Sequence, residues 1–415
     1  RSNAPLGLRR SLPEKVVAGY ASWDKNTVHD NQDAIIQSVR NGVNVLFWFA
    51  IDLVTDPTTH LPAIVSRGPR PETMVAVLDK LRREGLETTH LISIGGWNEV
   101  HPHTDAGASE VYRAFKKWNE LTMARPHEGF YGFDGLDWDI EGHDDKASPY
   151  NHFTVECLNV MGEMSVLAKQ DGYLVTMAPP ESYLDPFSND FTRSLRNTLP
   201  EWRELVPDFT YHGINSYAFL LGKYGKTNIG PGPHTETNTQ TNTDTHQYTT
   251  TDTTSQCTLV DTFDLVIYQL YESYGHANYH VEVKKGNASE WLVFLVRRMQ
   301  QGWMVNFSSD AELNFPDTVV KVAPHQLVIG LANAWAHDSE KDSAIPGIRK
   351  TLFLRPSELQ QAATQLQQND TALRGFAFWS LIHEGDVIAS SGTGSEGDGG
   401  AFYMAKELNA IMRTR

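Results

Sequence analysis

The sequence predicts a closed α/β barrel of the (β/α)8, or TIM-barrel, type with a long insertion between its fifth and sixth strands. Three observations carry that expectation. Short β-rich runs recur along the chain, each followed by a longer amphipathic or polar stretch, which is the rhythm of alternating strands and helices. Eight such runs can be counted: Val16–Ala21, Val45–Ala50, His90–Ile94, Gly132–Ile140, Leu174–Ala178, Phe263–Tyr271, Gln326–Leu331 and Gly375–Leu381. Their hydrophobicity is nearly continuous, as suits strands covered on both faces. The fourth run also ends in acids, where a barrel of this kind collects its reacting groups.

That fourth run reads Phe133-Asp134-Gly135-Leu136-Asp137-Trp138-Asp139-Ile140-Glu141. Side chains alternate faces along a strand, so Asp137, Asp139 and Glu141 share one face while Leu136, Trp138 and Ile140 pack on the other. Like charges spaced roughly 7 Å apart along a strand do not all ionise cheaply in a low-dielectric interior. At least one proton is held or shared, which is how a protein keeps a general acid near neutral pH. A calcium loop is a poor alternative, because the twelfth position from Asp137 is Ser148 instead of a bidentate Glu. A solvated acidic edge would not need an apolar residue at every intervening position. Asp134 has the opposite parity from the other acids and is expected to give structural support.

The composition limits the partners. A formal net charge of -16 argues against a phosphate-backbone partner, and no apolar run is long enough to span a bilayer. A neutral or cationic polymer fits this balance. Cys157 and Cys257 are the only cysteines, so a disulfide scaffold or cysteine-rich zinc module is excluded; one bridge or two free thiols remain open. There is no helical His-Glu-x-x-His pair, and no metal or cofactor is expected. The chain begins at Arg1 with a polar segment, which suits a processed mature form or a trimmed chain, and Asn287-Ala288-Ser289, Asn306-Phe307-Ser308 and Asn369-Asp370-Thr371 are glycosylation sequons. Together these lean towards a secreted protein.

About 80 residues separate the fifth and sixth runs, far more than an ordinary connection. The insertion covers residues 181–262 within a single catalytic domain, 1–415, and its Thr-rich part, Thr235–Ser255, has too few apolar residues to bury a core. Gly225-Lys226-Thr227 ends like a phosphate loop, but Leu220 stands where that loop needs Gly, so a turn is expected. Ser390–Gly400 is a Gly/Ser run, and Ala401–Met412 reads as a closing amphipathic helix.

Asp134, Asp137, Asp139 and Glu141 form the pattern Asp-x-x-Asp-x-Asp-x-Glu, and Ser93-Ile94-Gly95-Gly96 with Trp97 precedes it at the end of the third run. In these two motifs the chain resembles glycoside hydrolase family 18, the chitinases and their relatives. Met177-Ala178-Pro179, Gln269-Leu270-Tyr271 and Phe378-Trp379-Ser380 extend the resemblance across the barrel. It implies catalysis in which the substrate's own 2-acetamido oxygen is the nucleophile, an exception to the paired-carboxylate scheme. Glu141 would then be general acid and base, Asp139 would orient the acetamido group, and Asp137 would share a proton with Asp139. Tyr271 would hold the acetamido carbonyl; Tyr217 is a second candidate for that tyrosine but is assigned to the insertion. Trp379 would floor the site, with Trp97, Trp335, Met177, Gln269 and Tyr20 also contacting or lining the substrate. Ser93, Gly95 and Gly96 would support the acids from behind. Some relatives insert a small α+β domain after the seventh strand, whereas Leu331 to Leu373 is too short for one here.

The implied function is a retaining chitinase acting on chitin or N-acetylglucosamine oligosaccharides, as a monomer. An endo-acting glycosidase on N-linked glycans uses the same acids. A non-hydrolytic chitin-binding lectin usually lacks the acid that Glu141 supplies.

Overall fold

The computed structural model describes residues 11–21, 31–102, 104–230, 257–369, 371–384 and 402–413. Eight parallel strands pair in chain order: β1 Val16–Ala21, β2 Val45–Thr55, β3 Thr89–Gly96, β4 Gly135–Ile140, β5 Leu174–Met177, β6 Leu265–Gln269, β7 Leu327–Ala332 and β8 Gly375–Trp379. Pairing of Val16 with Gly375 and of Ala18 with Val45 joins β8 and β2 to the two edges of β1 and closes the sheet. A helix follows each strand: α1 Asn31–Arg40, α2 Pro71–Arg83, α3 Ala108–Lys117, α4 Val155–Gln170, α5 Ala218–Tyr224, α6 Ala288–Gln301, α7 Pro356–Gln368 and α8 Tyr403–Arg413. The architecture is therefore a (β/α)8 barrel.

Alternation along the strands builds two apolar layers. Val16, Ala18, Val45, Phe47, Leu91, Ile267 and Ala377 point inward and fill the barrel. Leu46, Trp48, Ile92, Leu136, Trp138 and Phe376 point outward and are covered by the helices. The helices carry matching signals. In α2, Pro71 opens the first turn, Met74, Val77 and Leu81 fall on the buried face, and Lys80, Arg82 and Arg83 close the last turn. In α4, the Thr154 hydroxyl caps the helix by accepting from Cys157 N at 3.0 Å.

Several boundaries differ from the sequence expectation. β4 begins at Gly135 and not Gly132, because Gly132 takes φ +90° and Phe133 N donates to the Asn119 side chain. β2 runs on past Ala50 to Thr55 and pairs antiparallel with Pro62–Ser66. β6 stops at Gln269, so Tyr271 stands on the following turn. The insertion holds an antiparallel pair, Thr192–Asn197 with His212–Ile214, then α5 and a hairpin of Lys226–Ile229 with Thr258–Asp261. Gly225-Lys226-Thr227 leads into that hairpin, where Lys226 Nζ pairs with Asp261 at 2.7 Å. The Thr-rich part expected at Thr235–Ser255 and the run Ser390–Gly400 lie outside the described residues.

Cys157 is buried, Cys257 is exposed and both are free thiols, so the open choice resolves without a bridge. The connection from β7 to α7 contains one short helix, Ala334–His337. No described helix is long and apolar enough to cross a membrane.

Candidate active site

Parity on β4 sends Asp137, Asp139 and Glu141 to the open end of the barrel, with the Leu136, Trp138 and Ile140 side chains anchored in the outer layer. The Trp138 indole Nε1 donates to Ser165 Oγ on α4 at 2.8 Å and fixes that anchor. Asp137 is fully buried and accepts three hydroxyls: Thr176 at 2.6 Å, Ser93 at 2.8 Å and Tyr20 at 3.2 Å. Burial pushes its carboxyl up to about 6, against the pull of those three donors. Three hydroxyl donors make Asp137 the member of the cluster best equipped to stay ionised.

Asp139 and Glu141 are hydrogen-bonded to each other. Burial, and then the charges of Glu141 and Asp137, raise Asp139 well above the usual carboxylate range. Burial raises Glu141 to about 7. One proton is thus shared by this pair near neutral pH, and the two groups titrate together. Asp139 therefore stands on the Glu141 side of the cluster. Gln269 Nε2 donates to Asp139 Oδ1 at 2.9 Å and to Ala178 O at 2.6 Å, and lies 3.3 Å from Glu141 Oε1. Of the three acids Glu141 alone is half-open to solvent.

Tyr271 stands on the turn after Gln269, and burial, then the negative charges of Asp139, Glu141 and Asp137, raise its hydroxyl well above its ordinary range. Its ring meets Trp335 edge-on at 6.3 Å. Trp335 Nε1 donates to Trp379 O at 2.6 Å, so the two tryptophans are tied together. Trp379 packs against Phe49 at 5.0 Å and Tyr20 at 5.8 Å, and Tyr20 stacks on Phe47 at 4.7 Å. These rings form an aromatic floor beside the acids.

Gly95 and Gly96 take φ +95° and +117°, conformations that favour glycine. A Cβ on Gly95 would lie 2.6 Å from Ile140 Cδ1 and 3.0 Å from Asp139 O, and one on Gly96 would lie 2.2 Å from Phe49 Cζ. The pair thus admits the backbone of the acid strand on one side and the ring that supports Trp379 on the other. Asp134 sits below the strand, where its backbone N donates to His90 O and its carboxylate accepts His90 N, each at 2.8 Å.

Two tyrosines compete for one role in the sequence, and the structure gives one of them a backbone partner. Tyr217 is fully buried, and its hydroxyl accepts from Ile140 N at 2.7 Å and donates to Ile140 O at 3.0 Å. It clamps the backbone between Asp139 and Glu141. Tyr217→Phe would leave both Ile140 groups buried without that partner, at a cost of about 1–3 kcal/mol. Urea unfolding checks this, and an unchanged midpoint would show that the clamp contributes nothing.

Met177 is a correction. It pairs in register with Trp138 and, like it, points into the outer layer, fully buried between sheet and helices. The inward positions of β5 and its end are Thr176 and Ala178, so Met177 does not line the cleft. Sequence reasoning also missed Thr176, although parity alone marks it as facing Asp137. Arg67 was missed without any local signal. It makes a two-pronged ion pair with Asp52 at 2.9 Å, donates to Gly95 O at 3.0 Å and lies 5.6 Å from the Phe49 centroid. Behind Tyr271, the Glu272 carboxyl accepts Ser182 N and Oγ at 2.6 Å each, joining the insertion to the turn after β6.

No protein-family model matches the sequence, and no curated protein matches it. Among solved structures, it is similar to active domain 2 of a thermostable chitinase from Pyrococcus furiosus at 12% identity, covering 98% of this chain and 97% of that one with a TM-score of 0.46. It is similar to the Group IV chitinase of Ostrinia furnacalis at 12% identity, covering 96% and 100% with a TM-score of 0.45. A third likeness, at 16% identity, is to a GH18 chitinase from Cycas revoluta, covering 96% and 99% with a TM-score of 0.39. The functional reading rests on the side chains themselves.

Proposed function

We propose that the chain is a glycoside hydrolase of the family 18 type that cleaves β-1,4 links between N-acetylglucosamine units with retention. The observation that carries this reading is the row of acids, Asp137, Asp139 and Glu141, at the C-terminal end of β4, with Gln269 Nε2 2.9 Å from Asp139 Oδ1 and 3.3 Å from Glu141 Oε1, beside the tied rings of Trp335 and Trp379. All three acids project from one strand. Acids that flank a scissile bond from both sides supply acid and nucleophile themselves, whereas a one-sided row suits a nucleophile that the substrate brings.

In this reading Glu141 donates its proton to the glycosidic oxygen and later takes one from the water that opens the oxazolinium. Asp139 accepts the acetamido N–H and balances the developing positive charge, while Asp137 stays anionic beneath it. Tyr271 donates to the acetamido carbonyl, holding its oxygen near the anomeric carbon. Trp379 supports the apolar face of the sugar and Trp97 that of the leaving group.

Glu141 works as an acid only while protonated, so kcat/KM should fall as pH rises through about 7. Its folded value lies above the unfolded one of ~4.3, so its contribution to stability is complete below ~4.3 and lost as pH rises through about 7. A rate profile on a soluble oligomer, flat from neutral to strongly alkaline pH, would contradict the assignment. Mass analysis of a glycoprotein after incubation separates this activity from one on N-linked glycans.

A further inference from the structure

Glu141 lies one residue past the end of β4, where the ladder hydrogen bonds of the barrel stop. The backbone around it is held instead by side chains from the loops after β3 and β4 and from the strand 5–6 insertion. Tyr217, in the insertion, bonds both backbone groups of Ile140. The carbonyl oxygen of Glu141 itself accepts from His101 Nε2, in the loop between β3 and α3, at 2.8 Å. A carbonyl can only accept, so this bond fixes the imidazole tautomer with its proton on Nε2. Burial pushes His101 down to about 4, so the ring is neutral above that pH. The Gly142 N–H donates to the Tyr183 hydroxyl at 3.1 Å, and the Gly142 carbonyl accepts from Asn98 N at 3.0 Å. His143 N donates to Asn151 Oδ1 at 2.8 Å. Gly142 leaves room for this crowding, since a Cβ there would lie 3.3 Å from both the Tyr183 hydroxyl and the Trp97 ring. Asp144 accepts from Trp97 Nε1 at 3.1 Å and from Asn98 Nδ2 at 2.7 Å, which ties the loops after β3 and β4 together.

One ring locks these holders to one another. Phe153, fully buried ahead of α4, stacks on His101 at 4.7 Å and stands edge-on to Tyr183 at 6.5 Å and to Tyr217 at 6.0 Å. Tyr217 N donates to Tyr183 O at 2.9 Å, so the two insertion tyrosines form one unit. Packing alone would be served by apolar rings at all three positions. Their polar atoms converge on the backbone of residues 140–142, the acid and its two neighbours. A side chain whose backbone is fixed on both sides has few directions left, and the one Glu141 takes leads to Asp139 and Gln269.

We propose that His101 and Tyr183 are positioning residues for the general acid, which with Tyr217 aim Glu141 at the bond to be broken by holding the backbone of residues 140–142. This rests on the reading of Glu141 as the acid and deepens it. The insertion then completes the support of the acid. A misplacement of about 1 Å can cost about 10²-fold in rate, so loosening this support acts on kcat.

The test compares His101→Leu, His101→Gln and Tyr183→Phe with the unchanged enzyme by kcat, KM and rate–pH profile on a soluble N-acetylglucosamine oligomer, at a temperature where circular dichroism shows each protein folded. His101→Leu removes the donor and Tyr183→Phe the acceptor; each should lower kcat by about 10- to 10²-fold with KM within about threefold. Water admitted around a loosened Glu141 should also move the alkaline limb to lower pH, because burial is what raises that carboxyl. His101→Gln, whose amide can donate to the same carbonyl, should restore most of the rate. Tyr183→Phe keeps the ring and its packing, so it carries the test where His101→Leu does not fold. A normal kcat in the folded variants, or an equal loss in His101→Gln and His101→Leu with the limb unmoved, would overturn the positioning role and leave Glu141 as the acid. No turnover by the unchanged enzyme would remove the amino-sugar reading and this inference together.

Discussion

Glu141→Gln is expected to lower kcat on a soluble N-acetylglucosamine oligomer by about 10²- to 10⁴-fold, the contribution of a positioned general acid. The substitution keeps the volume of the side chain and an oxygen for the Gln269 amide, which lies 3.3 Å away. It removes only the ionisable proton. Substrate affinity should therefore stay within a few-fold, because the aromatic floor and Tyr271 are untouched. Single-turnover kinetics separate the two terms, and a variant that turns over at close to the normal rate would end the assignment of Glu141 as the acid.

Asp139→Asn carries the second largest effect, a fall in kcat of about 10²- to 10³-fold with binding changed little. Asparagine still accepts from Gln269 Nε2, which sits 2.9 Å from Asp139 Oδ1, so the local packing survives. What is lost is the negative charge that faces the oxazolinium as it forms. The proton that Asp139 shares with Glu141 is lost as well, so the alkaline limb of the rate profile should change shape. Comparable losses in affinity and in rate would mean that Asp139 binds the ground state and does not answer the developing charge.

How much of this the sequence contains depends on which rule was available. All eight strands were readable because each is a short apolar run, and the barrel followed from their number and spacing. Strand ends were less so: Phe133 and Asp134 look like strand residues until the Asn119 side chain and His90 backbone take their hydrogen bonds. Parity placed Asp137, Asp139 and Glu141 on one face of β4. The same parity on β5 points Thr176 inward and Met177 outward, which is why Thr176 meets Asp137 and Met177 meets the outer layer. Tyr217 and Tyr271 both end strand-like runs and both stand in the field of the acids, and only tertiary packing decides that Tyr217 holds the Ile140 backbone. Arg67 and Asp144 act across loops, where neither period nor motif applies.

Release of product from a soluble N-acetylglucosamine oligomer, followed by nuclear magnetic resonance with the anomers resolved, tests the central claim most directly. The shared proton at Glu141 and a substrate-borne nucleophile predict new reducing ends that appear first as the β-anomer. New ends that appear first as the α-anomer, or tight binding with no new ends at all, would contradict it.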